Sequence, residues 1–147
     1  MKSIEPYFAA ACQMKKIAPT SGGMARFKDN IKANLDRMCG MIDYCCAGGM
    51  AGKGKYSIIG QVKLITFGEY GISGSYSPAR PTDRRLTADE TFKKIAIRIP
   101  GPETDILAAK AFQYKVYVAC ANIESDPEWP GIHFNTAFII KDRKSVV

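Results

Sequence analysis

From Phe27 onward, apolar residues return at every third or fourth position: Phe27, Ile31, Leu35, Met38, Ile42 and Cys45. Such spacing lays them along one stripe of a helix, predicted from about Met24 to Cys46. Lys28, Asp29, Lys32, Asp36, Arg37 and Asp43 fill its other face, and Gly48-Gly49 supplies the left-handed conformation that ends a helix. Elsewhere the apolar residues run together in short blocks, which reads as buried strand. Four such blocks stand out: Tyr7 to Met14 with its compact Phe8–Cys12 centre, Val62 to Phe67, Val116 to Ala121, and Asn135 to Ile140. Two further helices carry their own start signals. Thr87 precedes Glu90 by three residues, the spacing of a capping box, and this helix ends before Pro100. Pro102-Glu103-Thr104-Asp105 places proline and acids where a first turn favours them. Lys15 to Gly23, Ser73 to Pro81, Glu124 to Gly131 and Lys141 to Lys144 read as loops or turns, and Ser145-Val146-Val147 as the start of a partner strand in a final hairpin. The pattern predicts an α/β fold with the order β-α-β-α-α-β-β. A fifth strand, begun at Ser145, is cut at its first residues, so the chain reads as one domain, 1–147, truncated at its C-terminal end.

One stretch concentrates the chemistry. Val62, Leu64, Ile65 and Phe67 form a mostly buried strand that breaks at Gly68 directly onto Glu69 and Tyr70. A carboxylate there is held by a rigid element beside a turn, the usual place of a catalytic acid or base. The alternative is that Glu69 opens a solvated loop, since glutamate is rarely buried.

Composition then removes several function classes. The chain has 147 residues and an ordinary globular composition. No apolar run is long enough to span a bilayer, and Glu5-Pro6 interrupts what would be a signal peptide. A cytoplasmic protein is expected, with no membrane partner. The net charge of +7 could steer an anionic partner. Its lysines and arginines are scattered, however, without the arginine blocks or aromatic interleaving of a nucleic-acid binder. No nucleic-acid partner is expected. Cys12, Cys39, Cys45, Cys46 and Cys120 form neither a disulfide framework nor a zinc pattern, and His133 is the single histidine. They read as reduced thiols in or near the core, and His133 as a structural residue. No metal and no cofactor is expected. Gly49 to Lys55 imitates a phosphate-binding loop, but Tyr56 follows where Ser or Thr should bind magnesium, and a helix precedes the stretch where a strand is needed.

Taken together, Ala10-Ala11-Cys12-Gln13-Met14, the helix with Asn30 and Leu35, Thr66-Phe67-Gly68-Glu69-Tyr70, Ile99-Pro100-Gly101-Pro102-Glu103-Thr104, Val116 to Ala121, and Phe134-Asn135-Thr136-Ala137 resemble the N-terminal half of the nitrilase superfamily of carbon–nitrogen hydrolases. The Ile-Pro-Gly-x-Glu-Thr-like stretch and the Glu-Tyr pair are most similar to the aliphatic amidase and formamidase branch. The resemblance implies an α-β-β-α sandwich and a Glu-Lys-Cys triad. It assigns Glu69 as general base and acid and Tyr70 to the substrate pocket; the family's lysine and cysteine fall beyond Val147. Where the family has Phe-Pro-Glu, this chain has Phe67-Gly68-Glu69, which loosens the approach to the carboxylate. A small amide or nitrile substrate, ammonia release, homo-oligomerisation and an inactive isolated fragment are the corresponding expectations. The contrasting expectation is a non-catalytic, basic α/β binding module derived from this fold.

Overall fold

A computed structural model describes residues 6–48, 62–75, 87–142 and 145–146. The phosphate-loop imitation at Gly49–Lys55 lies outside them, as does most of the stretch from Ser73 to Pro81. The elements run β1 (Phe8–Cys12), α1 (Phe27–Asp43), β2 (Val62–Glu69), α2 (Ala88–Ile95), α3 (Pro102–Tyr114), β3 (Tyr117–Ser125), β4 (His133–Asp142) and β5 (Ser145–Val146). A 3-10 turn, Met24–Arg26, leads into α1, and a π-helical turn, Tyr44–Gly48, leaves it. The fold is mixed α/β. No helix among the described residues is long and apolar enough to cross a membrane.

The strands form one sheet in the order β1-β2-β3-β4-β5. β1, β2 and β3 are mutually parallel, each joined to the next through helix, whereas β4 turns back antiparallel on β3 and β5 on β4. Because neighbouring residues of a strand point to opposite faces, the register sorts the sheet into two surfaces. Ala10, Ile65, Val118 and Ile140 line up across one, followed by Cys12, Phe67, Cys120 and Phe138. All eight are buried, in one core with Leu35, Met38 and Ile42 of α1 and Leu107, Ala108 and Ala111 of α3. The predicted stripe of α1 is therefore its core face, but Asn30 and Asn34 are buried beside it.

The helix ends follow from local chemistry. In α2, Thr87 and Glu90 cap reciprocally: the Glu90 N–H donates to Thr87 Oγ1 at 3.2 Å, and the Thr87 N–H to Glu90 Oε2 at 2.8 Å. In α3, Pro102 occupies the first turn, and the Gly101 N–H donates to Thr104 Oγ1 at 2.8 Å. Asp43 ties α1 to α3 by accepting from Lys110 Nζ and the Tyr114 hydroxyl, each at 2.7 Å.

Several boundaries differ from the sequence-based expectation: β1 is confined to Phe8–Cys12, α1 proper to Phe27–Asp43 between its 3-10 and π-helical turns, and α2 ends at Ile95. β3 reaches into the Glu124–Gly131 loop as far as Ser125, and β4 begins at His133, ahead of the expected Asn135, because their backbones stay paired to those residues. β2 does not break at Gly68 but runs through it to Glu69, and the turn follows the carboxylate.

Candidate active site

Glu69 ends β2, an interior strand. Simple alternation would send it to the same face as Phe67, into the helix-covered core. The ladder with β3 prevents this. Thr66 pairs with Ala119 and Glu69 with Ala121, so three steps along β2 match two along β3. This bulge at Phe67-Gly68 shifts the alternation by one and re-aims Glu69 to the face of Thr66, Ala119 and Ala121. The hydrogen-bond partner agrees: Asn135 Nδ2, on β4, donates to Glu69 Oε1 at 2.5 Å. Gly68 thus sits inside the bulge. A Cβ added there would meet nothing within 4 Å.

The turn after Glu69 is fixed from three sides. Lys16 Nζ donates to the Glu69 carbonyl at 2.6 Å. Asn34, fully buried in α1, donates to the carbonyls of Ile72 and Ile17 at 3.1 and 3.0 Å and accepts from the Ile17 N–H at 2.8 Å. Asn122, fully buried in β3, accepts from the Ser73 N–H and hydroxyl, each at 3.0 Å. Buried amides with several satisfied bonds specify one backbone path, because leaving any of these groups unpaired is costly. Gly74 completes the fit: its φ is +79°, and a Cβ would run into the Ile17 carbonyl. Tyr70 holds a left-handed φ of 54°, a conformation non-glycine residues adopt rarely. Burial first, then the charge of Glu69 and a hydrogen bond to it, push the Tyr70 phenol above its ordinary value.

A cleft of about 510 Å³ opens at the ends of β1 and β2, lined by Cys12, Gln13, Met14, Lys16, Phe67 and Gly71 among others. Thr66, Gly68 and Lys16 line it beside Glu69, whose carbonyl accepts from Lys16; Glu69 itself is not a lining residue, and its exposed carboxylate accepts from Asn135. Of the remaining candidates, Cys12 lines this cleft and His133 does not. His133 is largely buried, its ring tilted against Phe92 at 6.0 Å and its Nε2 3.6 Å from Asp89. All five cysteines are free thiols; Cys12, Cys45 and Cys120 are buried, and Cys39 and Cys46 partly so. Among the described residues no three or more His, Cys, Asp or Glu side chains are grouped to hold a metal ion.

Asn34, Asn122 and Lys16 were not singled out by the sequence pattern. Asn30 and Asn34 do carry a signal: they repeat at four residues directly beside the apolar stripe, where solvent-facing polar residues are not expected. Lys16 and Asn122 carry none.

No protein-family model matches the chain, and no curated protein sequence does either. Among solved structures, it is similar to the crystal structure of an N-terminal amidase, with a TM-score of 0.60 and 14% sequence identity. The likeness covers 95% of this chain and 26% of that one, so the chain spans about a quarter of its neighbour's length. At that identity the likeness is one of fold alone.

Proposed function

We propose that this chain is the N-terminal part of a carbon–nitrogen hydrolase of the nitrilase type, with Glu69 as its general base and acid. The observation that carries the reading is the bulge that turns Glu69 onto the uncovered sheet face, with the following turn locked by Asn34 and Asn122. A rigidly held carboxylate is what proton transfer requires, and the amidase-like fold supplies a context for it.

In this reading a second α/β layer, contributed by chain beyond Val147, covers that face and brings a lysine and a cysteine to Glu69. The cysteine sulfur attacks the carbon of a small amide while Glu69 takes the thiol proton; Glu69 then gives that proton to the departing ammonia and activates water to release the acid from the thioester. The lysine stabilises the charge developing on the carbonyl oxygen. Tyr70 shapes the pocket and orients the carboxylate through its hydroxyl. The chain alone, lacking two members of this set, is inactive.

The test is ammonia release from a panel of short amides and nitriles by the full-length gene product beside its Glu69→Gln variant. The variant is expected to lose a factor of roughly 10² to 10⁴ in rate. Equal turnover by the two proteins would remove Glu69 from the mechanism. A folded full-length protein that releases no ammonia would favour a binding module built on the same fold.

A further inference from the structure

Two thiols meet in the core at a point the proposed chemistry does not use. Cys12 ends β1, and Cys45 lies in the π-helical turn that follows α1; their sulfurs are 3.8 Å apart. Both are buried, at 8% and 4% exposure. They differ in access. Cys12 also lines the 510 Å³ cleft at the ends of β1 and β2, whereas Cys45 does not. A small solute entering the cleft therefore reaches Cys12 before Cys45, whose sulfur is in van der Waals contact with that of Cys12. Cys39 and Cys120 have no sulfur among their hydrogen-bonding partners, and the adjacent Cys46 is poorly placed to bond Cys45 itself.

From this arrangement we propose that Cys12 and Cys45 form a reversible disulfide, with peroxide or a low-molecular-weight disulfide as oxidant. With hydrogen peroxide, the Cys12 thiolate attacks one oxygen and breaks the O–O bond, giving Cys12 sulfenic acid and hydroxide, which takes up a proton as water. The Cys45 sulfur then displaces the sulfenic oxygen, which leaves as a second water, and the S–S bond closes. Two electrons pass from the sulfurs to the peroxide, and the two thiol protons end in water. With a small disulfide, Cys12 forms the mixed disulfide and expels one small thiol, and Cys45 expels the other.

The geometry asks for a modest adjustment, from 3.8 Å to an S–S bond of about 2.0 Å. One partner sits in a π-helical turn, a locally irregular backbone that can yield. Protonation sets the pace. Burial, followed by the charge of Cys45, pushes the Cys12 thiol up to about 12, so the reactive thiolate is scarce at neutral pH. The finished disulfide is uncharged, so burial opposes the route to it but not the product. Closure is expected to be slow near neutrality and to accelerate about tenfold per pH unit as the thiolate fraction rises.

This inference stands independently of the hydrolase reading. The experiment treats the full chain with hydrogen peroxide, and separately with oxidised glutathione, at several pH values, followed by alkylation of free thiols and peptide mapping without reduction. The expected result is a linked pair of peptides carrying Cys12 and Cys45, released by a thiol reductant, absent from Cys12→Ala and Cys45→Ala and retained in Cys46→Ala. Its rate should climb with pH as above. The wild-type map needs no variant to fold. A map showing Cys12 alkylated after the partly buried Cys39 and Cys46 are oxidised, or Cys12 linked to Cys46 instead, overturns the proposal. So does a link that persists in Cys45→Ala.

Discussion

The two faces of the sheet are built by opposite means. On the helix-covered face, Ile65, Val118 and Ile140 are fully buried among Met38, Ile42 and Leu107. The other face carries small residues at its centre, Ala11, Ala119, Ala121 and Ala137, flanked by Tyr117 and Ile139, which are 42% and 46% exposed. Large side chains fill space against helices. A row of alanines leaves a flat surface that another layer can approach closely, and the bulge delivers the Glu69 carboxylate to this surface. The difference separates two jobs: one face holds the chain together, and the other presents a group.

The most disruptive way to probe that division is truncation on the covered face. Leu107→Ala removes a fully buried side chain and should cost about 2–5 kcal/mol in denaturant unfolding, the range for large-to-small core changes. Ile139→Ala in the same background should cost less than about 1 kcal/mol in the isolated chain, as its surface is half in water. In the full-length protein it should approach the core value, if a second layer covers it as proposed. Equal costs in both contexts would leave that face uncovered.

Asn122→Ala sharpens the comparison from the site's side. It strips the acceptor from the Ser73 N–H and hydroxyl and should destabilise by about 1–3 kcal/mol, with amide turnover falling further than stability predicts as Glu69 loses its fixed turn. Activity measured at full occupancy of the folded state separates the two.

A smaller effect is expected at Asp43, between α1 and α3. The hydrogen bond from Lys110 leads in holding its carboxyl below the ordinary value, against some desolvation, with Tyr114 adding to it. A lowered folded value means a contribution present above about pH 4, the carboxylate's unfolded range, and lost as pH falls through the still lower folded value. Its side chain is 42% exposed, so the contribution should stay under about 1 kcal/mol. Asp43→Asn should flatten the acid limb of a stability–pH curve measured by urea unfolding. Gly68→Ala should change least. A Cβ there meets nothing within 4 Å and φ is not positive, so stability should stay within about 0.5 kcal/mol; a large loss would mean that the bulge needs glycine itself.

Much of this architecture was legible in the sequence because it rests on periodicity. The stripe from Phe27 to Cys45, the proline-led start of α3 and the Thr87–Glu90 cap are each written in spacing. Glu69 was legible as a carboxylate at a strand end. How it reaches its face was not: a bulge is a relation between two strands, and neither Phe67-Gly68 nor Ala119-Cys120 encodes it alone. Asn122 was hidden for a similar reason, since it bonds across 49 residues to Ser73. Polar residues inside apolar blocks look like interruptions until their distant partners are known.

The hairpin of β3 and β4 carries a consequence for how the chain acquires its structure. Those strands are consecutive and pair through eight registered positions, from Val118↔Ile140 to Ser125↔His133. β1 and β2, by contrast, must close the long loop that contains α1 before any of their pairs forms. Loop closure is an entropic barrier met before contacts compensate it. The hairpin with α3 packed on it is therefore expected to assemble first, and β1 to dock late. Substitutions in β4 should slow refolding, while those in β1 should chiefly hasten unfolding.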